Sequence, residues 1–191
     1  MADTRDFSSN LWAATAIAAP ETPALQGDAK ADVVVVGGGF TGLSTALELA
    51  ERGADVVLLE AEEPGFGASG RNNGQVIPCY SVQNPDDVVA ELGDERGERL
   101  NAWVAASADL VFERIRRHAI DCDASQQGWL QPAHAESRLA LVRTKHDQWA
   151  ARGAPVAMFD ADEAREMTGS PVYLGGWMHK SGGHVQPLSL A

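Results

Sequence analysis

Four valines, Val33–Val36, run directly into Gly37-Gly38-Gly39-Phe40-Thr41-Gly42, and this junction constrains the fold more than any other feature of the chain. The unbroken apolar run suits a parallel strand buried on both faces. Leu43, Ala46, Leu47 and Ala50 then fall on one face of a helix, which Gly53 can end in a left-handed cap. Asp55-Val-Val-Leu-Leu-Glu60 reads as a second strand closed by an acid, about 20 residues beyond the glycines. In a chain with 19 glycines a lone G-x-G-x-x-G would be weak. Strand, helix, spacing and acid together make a β-α-β unit that holds a dinucleotide.

Each residue type there has a physical job. Gly37 permits the tight turn out of the strand, Gly39 lets the backbone approach a pyrophosphate, and Gly42 allows the helix to pack closely on the strand. The phosphates meet the helix N-terminus, where unpaired N–H groups and the helix dipole favour negative charge. Glu60 can accept hydrogen bonds from ribose hydroxyls, and its charge opposes a 2′-phosphate. FAD and NAD both fit this unit, and NADP fits poorly. A second glycine loop follows at Pro64-Gly-Phe-Gly-Ala-Ser-Gly-Arg-Asn-Asn-Gly-Gln75, with a hydroxyl, a guanidinium and amides. Such a loop can bring backbone N–H groups to a long anionic ligand, and Arg71 could pair with phosphate.

The two segments Val-Val-Gly-Gly-Gly-Phe-Thr-Gly-Leu-Ser (35–44) and Gly-Phe-Gly-Ala-Ser-Gly-Arg-Asn-Asn-Gly-Gln (65–75) resemble the FAD-dependent amine and amino-acid oxidoreductases of the D-amino-acid oxidase superfamily. Within that group the similarity is to the gamma-glutamylputrescine oxidoreductase and sarcosine-oxidase-like branch. It extends to Leu11-Trp-Ala-Ala-Thr15, Pro23–Asp28, Gly128-Trp-Leu-Gln-Pro132 and Ser181–Leu188. The resemblance implies FAD as cofactor. Its ADP half would lie on Gly37, Gly38, Gly39, Phe40, Thr41 and Gly42, with Glu60 and Ala61 at the adenosine end. Gly67, Ala68, Ser69, Arg71, Asn72, Gly74 and Gln75 would run along the pyrophosphate toward the flavin. The implied reaction is oxidation of a C–N bond of an amine or amino acid, giving an imine that hydrolyses, with electrons passing to oxygen or another acceptor. No nucleophile or general-base constellation is visible, and no residue is assigned as catalytic.

Some relatives attach flavin through a histidine in the second loop. No His or Cys occurs between Glu60 and Val76, so FAD is expected to be held without a covalent link. Members of the family are also considerably longer than 191 residues. The expected fold is therefore α/β, a Rossmann-like FAD/NAD(P)-binding domain with the start of an α+β substrate domain, truncated. The expected divisions are an arm over 1–31, the FAD-binding part over 32–119, and the beginning of the substrate domain over 120–191. On this reading the isolated chain is inactive, and a C-terminal partner chain would complete it. An NAD-dependent dehydrogenase explains the first loop and Glu60 but leaves the second loop without a role. A non-catalytic FAD-binding fragment or subunit explains the length.

Composition sets limits. A net charge of −12 opposes nucleic-acid binding, and no apolar run approaches a membrane span. Leu11–Pro20 is apolar, but Asp3 and Asp6 stand against a single Arg5 ahead of it, which does not suit a cleaved signal. Two cysteines, Cys79 and Cys122, fit a reducing cytoplasm. Further along, Asn84 and Pro85 start a helix, and a longer one after Gly93 is expected to bury Leu100, Trp103, Ser107, Val111 and Ile115. Ile120–Cys122, Trp129–Gln131, Val156–Phe159 and Val172–Met178 read as strands. Leu139, Val142, His146 and Trp149 form a helical stripe, Asp160 with Glu163 a capping box, and Pro187 a helix start. His179 and His184 bracket a glycine turn but lack a third metal ligand. Trp103, Trp129, Trp149 and Trp177 suit ordinary packing better than an aromatic substrate wall.

Overall fold

The computed structural model describes residues 10–191. The acidic residues Asp3 and Asp6, used above against a signal sequence, lie outside them. The elements in chain order are α1 (Leu11–Thr15), β1 (Val33–Val36), α2 (Phe40–Glu51), β2 (Val56–Leu59), β3 (Gln75–Val76), α3 (Pro85–Leu92), α4 (Asp94–His118), β4 (Trp129–Ala133), α5 (Glu136–Ala151), β5 (Val156–Phe159), α6 (Ala161–Thr168), β6 (Gly175–His179), β7 (Gly183–His184) and α7 (Pro187–Leu190). They fall into two compact units. One holds the chain to Gly74 with 119–123 and 185–191, and the other holds 75–118 and 124–184. Among the described residues no helix is long and apolar enough to cross a membrane.

In the first unit the valine run forms β1, paired parallel with β2 in the register Val33↔Val56 to Val36↔Leu59. β-Branched residues suit that pleated geometry. The pair is extended at its start by Asp32 and Val33 N–H donating to Asp55 O, and at its end by Gly37 N–H donating to Leu59 O at 2.7 Å. The helix α2 follows without a side-chain cap at Gly39. It ends at Arg52, with Gly53 at φ 86°, the left-handed position glycine takes at least cost. The expectation of burial on both faces of β1 is corrected here. The strand alternates, with Val34 and Val36 exposed at 55% and 83%, because successive side chains point to opposite faces and α2 packs on the face of Val35. Leu43, Ala46, Leu47 and Ala50 do share one face, and line an apolar groove of about 570 Å³ together with Ile17, Val56 and Leu188.

The second unit is built on a three-stranded antiparallel sheet in the order β4-β6-β5. Its central strand carries Trp177 between Gln131 and Met158. The indole is fully buried with Trp149 of α5, Val142 and Ala133. Trp129 meets Trp177 edge-on at 6.0 Å, a geometry favoured by the ring quadrupoles. The aromatic residues of this sheet and α5 thus form the core. The helices α3 and α4 make a tight hairpin. Its close approach rests on Gly97, where a Cβ would meet Val89 Cα at 2.6 Å. Arg152 ties α5 to that hairpin through Glu98 and Asp86, each at 2.8 Å.

Three expectations are corrected in this unit and its junctions. The buried stripe of α4 is Gly97, Asn101, Ala108, Phe112 and Ile115, shifted from the one expected. Trp103 is 65% exposed, beneath the Arg99 guanidinium. Small residues on the packed face allow close helix contact, which hydrophobicity alone does not reveal. Ile120–Cys122 is not a strand, because Ala119 (φ 50°) and Asp123 (φ 47°) turn the chain at both ends. The strand expected over Val172–Met178 begins only at Gly175, where φ is 139° and a Cβ would meet Phe159 O at 2.7 Å. Four further element expectations hold. Pro85 opens α3 after Asn84, Val156–Phe159 is β5, Asp160 and Glu163 form a reciprocal capping box, and Pro187 opens α7.

Candidate functional site

The site is assembled around the N-terminus of α2. The first-turn amides of any helix lack intrahelical acceptors, and Gly39 offers no side chain to cap them. Phe40 N–H is instead donated to Ser69 Oγ at 2.9 Å. The hydroxyl from the second glycine loop thus sits where a helix N-terminus binds an anion. The loops are also joined through their backbones, with Gly65 N–H donating to Gly38 O at 2.9 Å. A Cβ on Gly39 would lie 3.0 Å from Ser69 Oγ, and one on Gly38 would lie 3.1 Å from Glu60 Oε2. At Gly42 a Cβ would collide with the carbonyl of Gly37. The four glycines therefore do three separate things. Gly37 turns the chain at φ 108°, Gly38 and Gly39 make room for the Glu60 and Ser69 side chains, and Gly42 brings α2 against the turn.

Glu60 follows β2 and turns back onto the first loop. Its Oε2 accepts from Gly38 N–H at 2.5 Å, and its Oε1 from Ala61 and Glu62 N–H at 2.8 and 3.1 Å. These amide donors, Gly38 first, hold its carboxyl below the usual carboxylate range. Hydrogen bonding to a charged form favours that form. The carboxylate is half-buried and retains acceptor capacity for ligand hydroxyls, since an ionised carboxylate offers about four lone-pair positions.

The second loop is held in shape by its own polar groups. A 3-10 turn covers Ala68–Gly70. Asn72 Nδ2 donates to Ser69 O at 2.7 Å, and Asn72 Oδ1 accepts from Gly74 N–H at 2.8 Å. Arg71 lies over the Phe66 ring at 5.0 Å, with its Nε donating to Gly67 O at 3.2 Å. Gly74, at φ 70°, accepts from Val185 N–H through its carbonyl oxygen at 2.8 Å and leaves no room for a Cβ beside Val185 O.

The structure therefore brings Gly37, Gly38, Gly39, Phe40, Thr41, Gly42, Glu60, Ala61, Ser69 and the loop 67–74 into one unit. Gln75 belongs to the other unit, where its Oε1 accepts from Trp129 Nε1 at 2.9 Å. Two glycines not singled out from sequence also shape the site. Gly65 joins the loops, and Gly70 packs where a Cβ would strike Gly65 O. Their only sequence signal was the glycine density of the loop. His179 lies in the core between Trp149 and Trp177, with Nδ1 at 3.0 Å from Ser181 Oγ, whereas His184 is exposed.

A parallel β-α-β unit with two interlocked glycine loops and an amide-bound acid defines a dinucleotide-binding protein. The model of the FAD dependent oxidoreductase family, DAO, matches residues 32–191, and the chain belongs to that family. It is 38% identical over 187 residues to gamma-glutamylputrescine oxidoreductase of Escherichia coli, covering 97% of this chain and 43% of that protein. Its fold is similar to glycine oxidase from Bacillus cereus, with a TM-score of 0.66 at 23% identity over 84% of this chain and 41% of the other. It is also similar to L-amino acid deaminase from Proteus myxofaciens, with a TM-score of 0.71 at 19% identity over 92% and 38%. The chain thus spans about two fifths of the length of the relatives it matches.

Proposed function

We propose that this chain supplies the ADP-holding part of a flavoprotein that oxidises the C–N bond of a small amine or amino acid. FAD, when bound, supplies the two-electron acceptor, and the protein supplies binding, orientation and electrostatics. The contact carrying this reading is Phe40 N–H to Ser69 Oγ, which puts the second loop at the helix terminus of the first. A dehydrogenase needing only the first loop gives no reason for that closure.

In the proposed site Gly37, Gly38, Gly39, Phe40, Thr41 and Gly42 face the pyrophosphate, and the absent Cβ atoms of Gly38 and Gly39 let Glu60 and Ser69 close in on the loop. Glu60 accepts from the adenosine ribose hydroxyls, beside Ala61, and its negative charge disfavours a 2′-phosphate. The set continues in sequence through Gly67, Ala68, Ser69, Arg71, Asn72, Gly74 and Gln75. Ser69 Oγ, already fixed by Phe40 N–H, has its proton free to donate to a phosphate oxygen. With no His or Cys in the second loop, attachment is noncovalent. The proposed division has the FAD-binding part over 32–119 and the start of the substrate domain over 120–191, in a cytoplasmic protein. The substrate is an amine or amino acid of the gamma-glutamylputrescine or sarcosine kind, and the electrons leave to oxygen or another acceptor. A C-terminal partner chain is the proposed source of the remaining catalytic groups.

The test takes the flavin-loaded protein together with its C-terminal partner, assays amine oxidation on the native sample and denatures a separate sample with acid. Yellow flavin in the supernatant and bleaching by gamma-glutamylputrescine, sarcosine or a simple amino acid are expected. Flavin retained by the precipitate refutes the noncovalent part. Bleaching by NADH alone, with none by any amine, refutes the substrate class.

A further inference from the structure

Within the second unit a cavity of about 250 Å³ is lined by Ile77, Cys79, Ser81, Trp129, Gln131 and Lys145. Lys145 is only 8% exposed, and lysine is almost never buried unless paired. Its Nζ donates to Tyr80 O at 2.8 Å and Ser81 O at 3.3 Å. Neither acceptor carries a charge, and an ammonium has three protons to donate. Among the described residues no carboxylate lies within ion-pair distance of Lys145.

The neighbouring groups do not neutralise it. Cys79 and Tyr80 are the weakly acidic side chains in the cavity wall; burial raises the Tyr80 phenol, which donates to Asn101 Oδ1, and pushes the Cys79 thiol up to about 11 against the weaker opposing pull of Lys145. Both are therefore neutral at pH 7. Gln131 adds a second donor. Indole Nε1 of Trp177 can only donate, and it bonds Gln131 Oε1 at 2.9 Å. That contact fixes the amide orientation, so the NH2 of Gln131 is the group left over, and it has no acceptor among the described residues. A buried ammonium and a carboxamide NH2 thus face one cavity with spare protons and no anion.

We propose that this cavity is a binding site for a small carboxylate, held by Lys145 Nζ and Gln131 Nε2. One oxygen takes the third ammonium proton and the other the amide proton, while Ile77 and Trp129 cover a short aliphatic tail. The ligand is an aliphatic carboxylate of a few carbons, arriving either as a free acid or as the carboxylate end of an amino acid.

Titration of the whole protein with sodium acetate and sodium butyrate, at ionic strength held constant with sodium chloride, tests the site through tryptophan fluorescence. A saturable change is expected, because Trp129 lines the cavity. Gln131→Glu is the decisive variant. It keeps an oxygen for Trp177 Nε1 and places a carboxylate beside Lys145, so carboxylate binding should weaken at least tenfold while the melting temperature rises. Lys145→Met should weaken binding by a similar factor. If that variant does not fold, Gln131→Glu carries the test alone. Glycine binding more weakly than acetate marks a free acid as the ligand, since Lys145 repels the added ammonium. Glycine binding at least as tightly marks an amino acid, and both results support the site. No saturable change, an equal response to chloride alone, or folded Gln131→Glu binding acetate as wild type does would overturn it.

Discussion

Replacing Glu60 by Gln isolates one charge at one end of the proposed cofactor site. In the structure Oε1 accepts two amides, Ala61 and Glu62, and Oε2 accepts Gly38 N–H. A glutamine can keep its single oxygen on the first pair, but its NH2 then faces Gly38 N–H, donor against donor. The hydrogen bond to the glycine loop is lost, together with the acceptor offered to a ribose hydroxyl. Hydrogen bonds to charged groups contribute about 1.5–3 kcal/mol. Because Glu60 is only half-buried, the low end applies, about 1.5 kcal/mol or roughly tenfold in FAD affinity. The assay is equilibrium titration of apo-protein with FAD, with circular dichroism to show that the variant is folded. The charge carries a pH signature as well. Its folded-state carboxyl is held low by the amides, so its contribution is present above the unfolded value near 4.5 and is lost as pH falls through the folded one. Unchanged FAD affinity in a folded Glu60→Gln variant would refute the assignment of Glu60 to the adenosine end.

Other substitutions probe the remaining contacts. Ser69→Ala removes the acceptor of Phe40 N–H and should weaken FAD binding by about 0.5–1.5 kcal/mol in the same titration, as expected for a neutral hydrogen bond. Gly42→Ala drives a Cβ into the carbonyl of Gly37 and should lower both the melting temperature and FAD affinity by more than Ser69→Ala does. Arg71→Lys replaces a planar fork with a point charge, so FAD affinity should fall if phosphate is its partner and stay unchanged if Phe66 and Gly67 are its whole role. Burial, opposed by Asp109, lowers the basicity of His179, so the unfolded chain takes up a proton near pH 6.5 that the folded one refuses. Stability should fall as pH drops below about 6.5, by at most about 1.4 kcal/mol per pH unit, and a melting series with His179→Gln should flatten that slope.

The first unit was legible where chemistry and chain geometry coincide. Glycines at 37, 39 and 42 and the acid at 60 have fixed spacing because a turn, a phosphate approach and a strand end lie at fixed distances along a β-α-β unit. The second loop was legible in composition but not in shape. That Ser69 would cap α2, and Gly65 bond Gly38, depends on how two segments separated by a whole strand and helix fold together. The stripe of α4 was misplaced because Gly97, Asn101 and Ala108 are buried for size and hydrogen bonding rather than hydrophobicity. Besides Glu98 one turn earlier, Asn101 is satisfied by Tyr80 OH and Pro85 O, neither of which is near it in sequence. Lys145 was unreadable for the same reason. Its acceptors lie more than sixty residues earlier in the chain, and its position on α5 looks like any surface lysine.

The central claim is that the two glycine loops form the ADP-holding half of an FAD site. Equilibrium dialysis of the chain with radiolabelled FAD, competed separately by ADP, FMN and NADP, tests it most directly. Saturable FAD binding that ADP displaces, that FMN and NADP displace poorly, and that Gly42→Ala abolishes is the predicted result. FAD binding displaced by FMN but not by ADP, or left intact in a folded Gly42→Ala variant, would contradict it.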